Sequence, residues 1–269
     1  MKILQKVKML RHFSLFFILV SLVSCSNIRW FGHSSIEIIT PNGTKILIDP
    51  WINNPKNPNG KTILTSLHDT HYILLSHGHG DHIGDTRDIL SNSNAKIITS
   101  YSLGNHLLSI LKYPKDRVLQ KNLGDVGGEI QITPEIKITF TQAIHSSEII
   151  DTKGILHNTG PSVGFIIEIK NDKTVYFSGD TDLMFDMKLI PLFHKIDLFI
   201  VCIGNQFTMG PKRAALATNM IKASSVLPVH WGTYPLLTGT PQQFKTYLDQ
   251  FSFTGHVYQL DMNQRVHLK

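Results

Sequence analysis

The sequence predicts an α+β fold in which two mixed β-sheets pack face to face and helices cover their outer sides. Short apolar runs of strand length recur along the chain, and segments with helical periodicity lie between several of them. The 269 residues contain no internal repeat and no long linker that would divide them. With 42% hydrophobic and 17% charged residues, the composition is that of an ordinary globular protein with a sizeable core. We therefore expect one large domain.

The predicted strands and helices alternate in a way that suits such a sandwich. Strands are expected at residues 35–40, 45–49, 71–76, 96–100, 136–141, 163–170, 174–178, 198–203 and 226–230. Helices are expected at residues 83–91, 103–111, 182–189, 212–223 and 241–251. Pro211 and Pro241 lie where two of these helices begin, and proline is well tolerated in a first turn.

The N-terminal segment has the order of a secretory signal. Basic residues come first, an apolar run over residues 13–23 follows, and small residues end the segment. The run is too short to span a bilayer, and residues 22–25 (LVSC) look like a bacterial lipobox, in which the cysteine is acylated. We therefore predict a lipoprotein-type signal peptide over residues 1–24, lipidation of Cys25 and a folded domain over residues 25–269.

This prediction places the protein on the bacterial cell envelope, anchored to a membrane by lipid on its periplasmic or extracytoplasmic face. Two alternatives stay open: a short uncleaved apolar helix, and a start codon upstream of a cytoplasmic protein. Of the two cysteines, Cys25 would carry the lipid, and Cys202 lies in an apolar run that suits a buried thiol. An internal disulfide is therefore not expected.

The net charge does not indicate a nucleic-acid partner. The formal charge is +6, but Lys2, Lys6, Lys8 and Arg11 all lie in the predicted signal peptide, and no acidic residue accompanies them. The rest of the sequence has no clustered basic face of the kind that a phosphate backbone requires. We therefore expect a small-molecule substrate and no nucleic acid.

Residues 76–82 (SHGHGDH) bring three imidazoles and a carboxylate into one short segment. An apolar run over residues 72–75, typical of a buried strand, comes directly before them. Gly78 and Gly80 allow the backbone to curl so that several side chains can converge. Neutral imidazole and carboxylate are the usual ligands of zinc and similar divalent ions. The segment therefore predicts a metal site at the end of a strand.

The spacing H-x-H-x-D-H resembles the signature of the metallo-β-lactamase superfamily, and the resemblance covers nearly all of the chain after residue 27. Three later segments, QAIHSS at residues 142–147, FSGDTD at 177–182 and LPVHWG at 227–232, each end an apolar run with one ligand-type residue. Within the superfamily the chain is most similar to the small metal-dependent hydrolases related to ascorbate-6-phosphate lactonase. The segments that carry this likeness are residues 30–34, 45–51, 204–211 and 230–240.

The resemblance implies a four-layer αββα metallo-β-lactamase sandwich and a dinuclear metal centre. It implies that His77, His79 and His145 bind one divalent ion, that Asp81, His82 and His230 bind a second, and that Asp180 bridges both. It also implies that Asp49 supports the ligand histidines from behind. Zinc is the expected metal, although such a site also accepts manganese or iron.

This centre would make the protein a hydrolase. A divalent ion lowers the pKa of bound water to about 7, and a hydroxide shared by two ions can attack an activated ester. Asp81 would orient that hydroxide and carry a proton toward the leaving group. Lactone opening is the favoured reaction, because of the family resemblance. The alternatives are a phospholipase-type phosphodiesterase of the same fold and, in another class, a non-catalytic metal-binding envelope lipoprotein.

A further set of residues is expected to contact the substrate because each follows a predicted strand near a ligand or lies in a segment shared with the family branch. These residues are His33, Asn205, Thr208, Trp231 and Tyr234. The sequence leaves the oligomeric state open.

Overall fold

The computed structural model describes residues 25–269. The predicted signal peptide over residues 1–24 lies outside the described residues. In chain order the strands are β1 (Asn27–Trp30), β2 (Ile36–Ile39), β3 (Lys45–Ile48), β4 (Tyr72–Leu75), β5 (Lys96–Ser100), β6 (Leu123–Gly124), β7 (Glu129–Thr133), β8 (Ile136–Gln142), β9 (Glu148–Ile150), β10 (Leu156–Asn158), β11 (Val163–Ile169), β12 (Thr174–Phe177), β13 (Leu198–Cys202), β14 (Ser225–Val229), β15 (His256–Val257) and β16 (Arg265–His267).

The helices lie between these strands. They are α1 (Gly60–Leu64), α2 (Gly80–Ile83), α3 (Thr86–Asn92), α4 (Tyr101–Ser109), α5 (Ile190–Phe193), α6 (Pro211–Ile221) and α7 (Pro241–Gln250), with short 3₁₀ helices at Gln120–Asn122 and Phe185–Lys188. Within residues 25–269, no helix combines the length and apolar character needed to cross a membrane.

Two seven-stranded mixed sheets form the centre of the molecule. The first has the order β16-β1-β2-β3-β4-β5-β6, and the second has the order β15-β14-β13-β12-β11-β8-β7. β9 and β10 form a separate antiparallel hairpin. The main core lies between the sheets, where Ile38 and Leu74 of the first pack with Phe165 and Ile200 of the second. The predicted face-to-face sandwich is confirmed.

Helices cover the outer side of each sheet. Leu103 and Leu107 of α4 pack on Ile73 of β4, while Ala214 of α6 and Phe244 of α7 belong to the core on the far side of the second sheet. Strands β3, β13 and β14 are buried along their whole length, as expected for strands covered on both faces. The four layers are therefore helix, sheet, sheet and helix, as the sequence predicts.

The direction of the strands explains where the ligand segments meet. β3, β4 and β5 are parallel to one another, and so are β12, β13 and β14. β8 runs in the same direction as β12, because both are antiparallel to β11. The carboxyl ends of β4, β8, β12 and β14 therefore come to one edge of the sandwich, and each predicted ligand segment follows one of these ends.

Two predicted helices differ from the observed ones. The helix expected over residues 83–91 is divided into α2 and α3 at Gly84, whose φ of 46° lies in the left-handed region. A Cβ there would lie 2.6 Å from the Pro50 carbonyl oxygen, so the chain turns where only glycine fits. The helix expected over residues 182–189 is instead a 3₁₀ turn followed by α5.

The first described residues are tied to the domain. The Ser26 backbone N–H donates to Asp172 Oδ2 at 2.9 Å, and the Leu268 N–H donates to the Ser26 carbonyl. Ser26 is buried, whereas Cys25 is partly exposed. A lipid on Cys25 would therefore join the membrane to the folded domain with almost no tether.

Candidate metal centre

Three histidines converge where β4 and β8 end. His77 Nε2 lies 3.0 Å from His79 Nδ1, and His145 Nε2 lies 3.3 Å from the same atom. We call these three side chains the first cluster. Three ring nitrogens that face one point form a donor set typical of a divalent transition-metal ion.

The second cluster consists of Asp81, His82 and His230, and Asp180 lies between the two clusters. Asp180 Oδ2 lies 2.9 Å from His230 Nε2, 3.3 Å from His82 Nε2 and 3.8 Å from His145 Nε2. One carboxylate oxygen therefore contacts histidines of both clusters, which is the position that a bridging ligand needs. The structure brings together every residue that the sequence predicts as a metal ligand.

Local backbone geometry presents the first of these side chains. A Cβ at Gly78 would lie 2.7 Å from Thr159 Oγ1 and 2.8 Å from the Glu148 carbonyl oxygen, so this turn accepts only glycine. Helix α2 begins just afterwards, and its four residues include Asp81 and His82. The short turn followed at once by a helix is what allows neighbouring residues to face both clusters.

Asp49 and Ser76 set the proton positions of two ligand histidines. The Ser76 hydroxyl donates to Asp49 Oδ2 at 2.6 Å, so it accepts the Nδ1–H of His77 at 2.9 Å. His82 Nδ1 lies 2.7 Å from the same Asp49 oxygen, which as a carboxylate can only accept. Both rings therefore carry a proton on Nδ1 and turn Nε2, the nitrogen left to bind a metal, toward the clusters.

Glu148 fixes the proton of His79 in a similar way, but on Nε2 instead of Nδ1. His79 Nε2 lies 2.8 Å from Glu148 Oε2, so the proton is on Nε2 and the free lone pair is on Nδ1. Nδ1 is the atom that faces His77 and His145. Sequence reasoning missed Glu148 as well as Ser76; Glu148 follows His145 by three residues, at the start of β9, but nothing in that spacing identifies it.

Buried atoms without partners also fit bound cations. Among the described residues, His82 Nε2 and Asp180 Oδ1 have no hydrogen-bond partner although both are buried. Buried polar atoms are normally paired, so such atoms in one site require an explanation. The donor set of imidazoles and carboxylates at this edge fits divalent metal ions.

The charges of the site follow from burial and from its carboxylates. Burial lowers the pKa of His77 well below its usual value, and the neighbouring His82 adds to this. Burial alone would raise the pKa of Asp180, but the charges of His230 and His82 outweigh it and hold that pKa well below the ordinary range. A neutral imidazole and an ionised carboxylate are the forms that bind a metal.

Comparison with known proteins gives the family. A family model described as the beta-lactamase superfamily domain matches residues 44–231. The chain belongs to the metallo-β-lactamase superfamily. It is 42% identical to a UPF0173 metal-dependent hydrolase of Thermodesulfovibrio yellowstonii, over 96% of this chain and 98% of the relative. A UPF0173 metal-dependent hydrolase of Anaeromyxobacter dehalogenans is 41% identical, over 83% of this chain and 81% of the relative.

Solved structures agree with this assignment. Igni18, a metallo hydrolase from the archaeon Ignicoccus hospitalis, superposes with a TM-score of 0.75 at 27% identity, covering 91% of this chain and 99% of its own. The metallo-β-lactamase fold protein YhfI of Bacillus subtilis has a TM-score of 0.65 at 14% identity and covers 91% of this chain and 100% of its own, which shows the shared fold. The protein is therefore a metal-dependent hydrolase of this superfamily. The narrower likeness to ascorbate-6-phosphate lactonase stays a prediction.

Within this superfamily hydrolase, three ordinary residues at the site hold backbone conformations that usually need glycine. The φ angles are 51° for His33, 44° for Asp49 and 57° for His230. A non-glycine residue in this region costs about 1–3 kcal/mol and persists only where the surroundings hold it. The His230 N–H donates to the His33 carbonyl at 3.0 Å, which ties two of these strained turns together.

His33 lies behind Asp81 rather than at the surface. Its side chain has no exposed area, its Nε2 lies 3.0 Å from Asp81 Oδ2, and its Nδ1 accepts from the Thr233 hydroxyl at 3.0 Å. Burial lowers the pKa of His33 to about 4, so the ring is neutral and donates its Nε2–H to the carboxylate. Both ring nitrogens of His33 are therefore engaged in hydrogen bonds within the site, and its predicted substrate contact stays a prediction.

The other predicted substrate contacts have different positions. Tyr234 is 40% exposed and stacks on Trp51 at 5.8 Å, and Trp51 in turn packs edge-on against His33, so this pair lies beside the second cluster. Sequence reasoning did not propose Trp51 as a site residue. Together, Tyr234 and Trp51 form one aromatic wall of the site.

Asn205, Thr208 and Trp231 have contacts elsewhere. Trp231 stacks on Trp30 at 5.6 Å and lines a separate cavity, and the Asn205 amide donates to the Thr238 hydroxyl at 2.9 Å. The Thr208 hydroxyl accepts the Gly204 N–H within its own loop. Among the contacts of the described residues, none joins these three side chains to either cluster, so their predicted role has no support from this conformation.

Proposed function

We propose that this superfamily hydrolase opens a lactone or a similarly activated ester with two divalent ions, most consistently zinc. The observation that carries the proposal is the position of Asp180 Oδ2, 2.9 Å from His230 Nε2 and 3.8 Å from His145 Nε2, between two groups of imidazole nitrogens. A structural zinc site is usually single and closed by four ligands. Two adjoining donor groups that share a carboxylate favour a reactive centre instead.

Each cluster would hold one ion. His77, His79 and His145 would bind the first, and Asp81, His82 and His230 the second, with Asp180 common to both. When bound, divalent ions of this kind lower the pKa of water to about 7 and so supply hydroxide at neutral pH. The protein contributes the fixed tautomers of the ligand rings, because Ser76, Asp49 and Glu148 hold their other nitrogens.

Asp81 is the residue that we assign to proton transfer. Its side chain is 26% exposed, while His82 has no exposed area and His230 and Asp180 are each 3% exposed. Burial alone would raise the pKa of Asp81, but the hydrogen bond from His33 and the charge of His82 lower it below its ordinary value. An ionised carboxylate at the accessible edge can orient a water molecule, accept the proton that the water loses as it attacks, and pass that proton to the departing alkoxide.

The proposal is tested with purified protein whose metals have been counted. We expect close to two divalent ions per chain and turnover of γ-butyrolactone that exceeds turnover of bis-p-nitrophenyl phosphate. Turnover of the phosphodiester alone would indicate the phospholipase-type activity. One saturated ion per chain with no turnover of either compound would indicate a non-catalytic metal-binding protein.

Asp180→Ala should remove metal and activity together, because Asp180 Oδ2 faces both clusters. Asp182→Ala is a matched control: this carboxylate lies two residues away and hydrogen-bonds Arg213 at the surface. Unchanged metal content in Asp180→Ala would refute the bridging role.

We also propose that Cys25 carries the lipid and that the enzyme acts on the bacterial envelope. The lipobox-like residues 22–25 support this. Cys25→Ser should release the protein from the membrane fraction and end its labelling by a radioactive fatty acid. Labelling that persists in this variant, or wild-type protein found in the cytoplasm, would contradict the proposal.

A further inference from the structure

A second feature of the accessible edge is an apolar cavity of about 370 Å³ beside the first cluster. One wall is the turn around Gly78 and helix α2, and the other is the β9–β10 hairpin. Its lining residues are Gly78, His79, Gly80, Ile83, Gly84, Leu111, Glu148, Ile149, Ile150 and Leu156. We call it the hairpin cavity. Its volume lies toward the small end of the range of ligand pockets, about 300–1,000 Å³.

The hairpin presents large aliphatic side chains to this cavity. Ile150 of β9 and Leu156 of β10 are direct cross-strand partners, and they are 66% and 63% exposed. Ile155, next in the chain to Leu156, is 52% exposed. Ile155 does not line the cavity, but Ile150 and Leu156 both do. Single exposed aliphatic residues are ordinary, whereas an adjacent pair that lines a cavity indicates a surface that binds something apolar.

The hairpin cavity adjoins the metal centre through His79. The ring of His79 turns Nδ1 toward the first cluster, and the same residue lines the cavity. His79 and Asp81 are also the accessible ligands, with side chains 29% and 26% exposed, whereas His82 is completely buried. Solvent therefore reaches the centre at His79 and Asp81, and the cavity lies beside the first of them.

The charge of the lining residues indicates what kind of molecule the cavity can bind. Glu148 is the charged group of the lining, and its carboxylate is occupied by His79 Nε2. An anionic group in the cavity would meet this charge with no cation to offset it among the lining residues. The cavity therefore suits a neutral hydrocarbon segment.

We propose that the hairpin cavity binds an alkyl or acyl chain of the substrate while the reacting carbonyl lies at the metal centre. This inference rests on the proposed function, because it names the kind of lactone or ester that is opened. The substrate would then be an ester or lactone with a hydrocarbon tail. Selectivity for such a tail would come from Ile150 and Leu156.

The kinetic test compares γ-butyrolactone with γ-decalactone in the wild type and in the double variant Ile150→Ser/Leu156→Ser. We expect kcat/KM for γ-decalactone to fall about tenfold or more through KM, since contacts of single methylenes in an apolar pocket are worth about 10–200-fold. The value for γ-butyrolactone should stay nearly constant. Leu192→Ser is the matched control, because Leu192 is 71% exposed and lies outside the cavity lining.

An equal fall for both lactones would overturn the proposal, and so would a wild type with no preference for the longer chain. Both substituted positions are exposed, so the variants should fold, and circular dichroism with a metal count checks this. Loss of a dimer in the double variant would identify a second copy as the occupant, which also overturns the proposal.

A binding test separates this inference from the proposed function. 1-Decanol, which has no bond to hydrolyse, should displace the fluorescent probe N-phenyl-1-naphthylamine from the wild type and much less from the double variant. Displacement without turnover of any lactone would sustain the cavity assignment and refute lactone opening. Lactone turnover without 1-decanol binding would refute the cavity assignment alone.

Discussion

His33 Nε2 donates a hydrogen bond to Asp81 Oδ2 at 3.0 Å, across 48 residues of sequence. The contact links the turn after β1 to helix α2. It holds the one partly exposed carboxylate of the second cluster in a fixed direction, because His33 is itself buried and held by Thr233. His33 is thus a positioning residue for Asp81.

Replacing His33 by glutamine should weaken catalysis more than folding. Loss of a residue that orients a metal ligand typically costs about 10–100-fold in metal affinity or activity. The pKa of Asp81 should also rise toward its ordinary value, because the hydrogen bond that lowers it is removed. The pH profile of kcat and the affinity for the second ion check this. His157→Gln is the control, since His157 has the same 3.0 Å contact with Asp151 away from the centre.

Replacing Glu148 by alanine should weaken the first ion's binding by about 10–100-fold, because the proton on His79 is no longer fixed at Nε2. Glu148→Gln should weaken it less, since the amide oxygen can still accept from His79. Competition with a chelator measures both values. Glu129→Ala removes a surface glutamate paired with Lys137 and should change neither. Equal metal affinity in Glu148→Ala and wild type would contradict the assignment of this tautomer.

Asp49→Ala should unfold the protein more easily as well as reduce its metal content. Asp49 is fully buried and accepts from the Ser76 N–H, the Ser76 hydroxyl and His82 Nδ1. Removing one partner of a buried charged pair typically costs about 3–5 kcal/mol. Urea unfolding of the metal-free protein measures this cost. Asp116→Ala, at an exposed pair with Arg117, should shift the free energy of unfolding by less than about 1 kcal/mol.

Metal affinity should fall as the pH is lowered. Burial alone would lower the pKa of His82, but the charges of Asp180 and Asp49 raise it well above the usual value. In the metal-free protein His82 is therefore protonated at neutral pH, and an ion must displace that proton. Titration calorimetry in buffers of different ionisation enthalpy should detect the released proton. Absence of proton release between pH 6 and pH 8 would contradict this charge state.

The raised pKa of His82 also determines how the stability of the metal-free protein changes with pH. The pKa of His82 is higher in the folded chain than its unfolded value of about 6.5. Protonated His82 therefore makes its full contribution to the free energy of unfolding at pH values below about 6.5. The contribution is lost as the pH rises through the raised pKa. Metal binding should restore the stability lost in that alkaline range.

The sequence alone predicted which candidate ligand side chains come together and which layers form the fold. Each ligand segment is local: an apolar run of strand length ends, and a histidine or aspartate follows, as in residues 72–82 and 226–230. Because parallel strands bring their carboxyl ends to one edge, these local patterns were sufficient to predict where the side chains meet. The short strands β6, β7, β9, β10, β15 and β16 were missed, since two to five residues with mixed polarity give no clear periodicity.

Only the tertiary structure decided what holds the ligands and what surrounds them. The partners of His79 and Asp81, namely Glu148 and His33, lie 69 and 48 residues away in sequence. No spacing rule connects them, because their contacts depend on how the β9–β10 hairpin and the turn after β1 pack over the edge of the sandwich. Local sequence determines which side chains face the edge, while packing of distant segments determines their tautomers, their charges and the apolar cavity beside them.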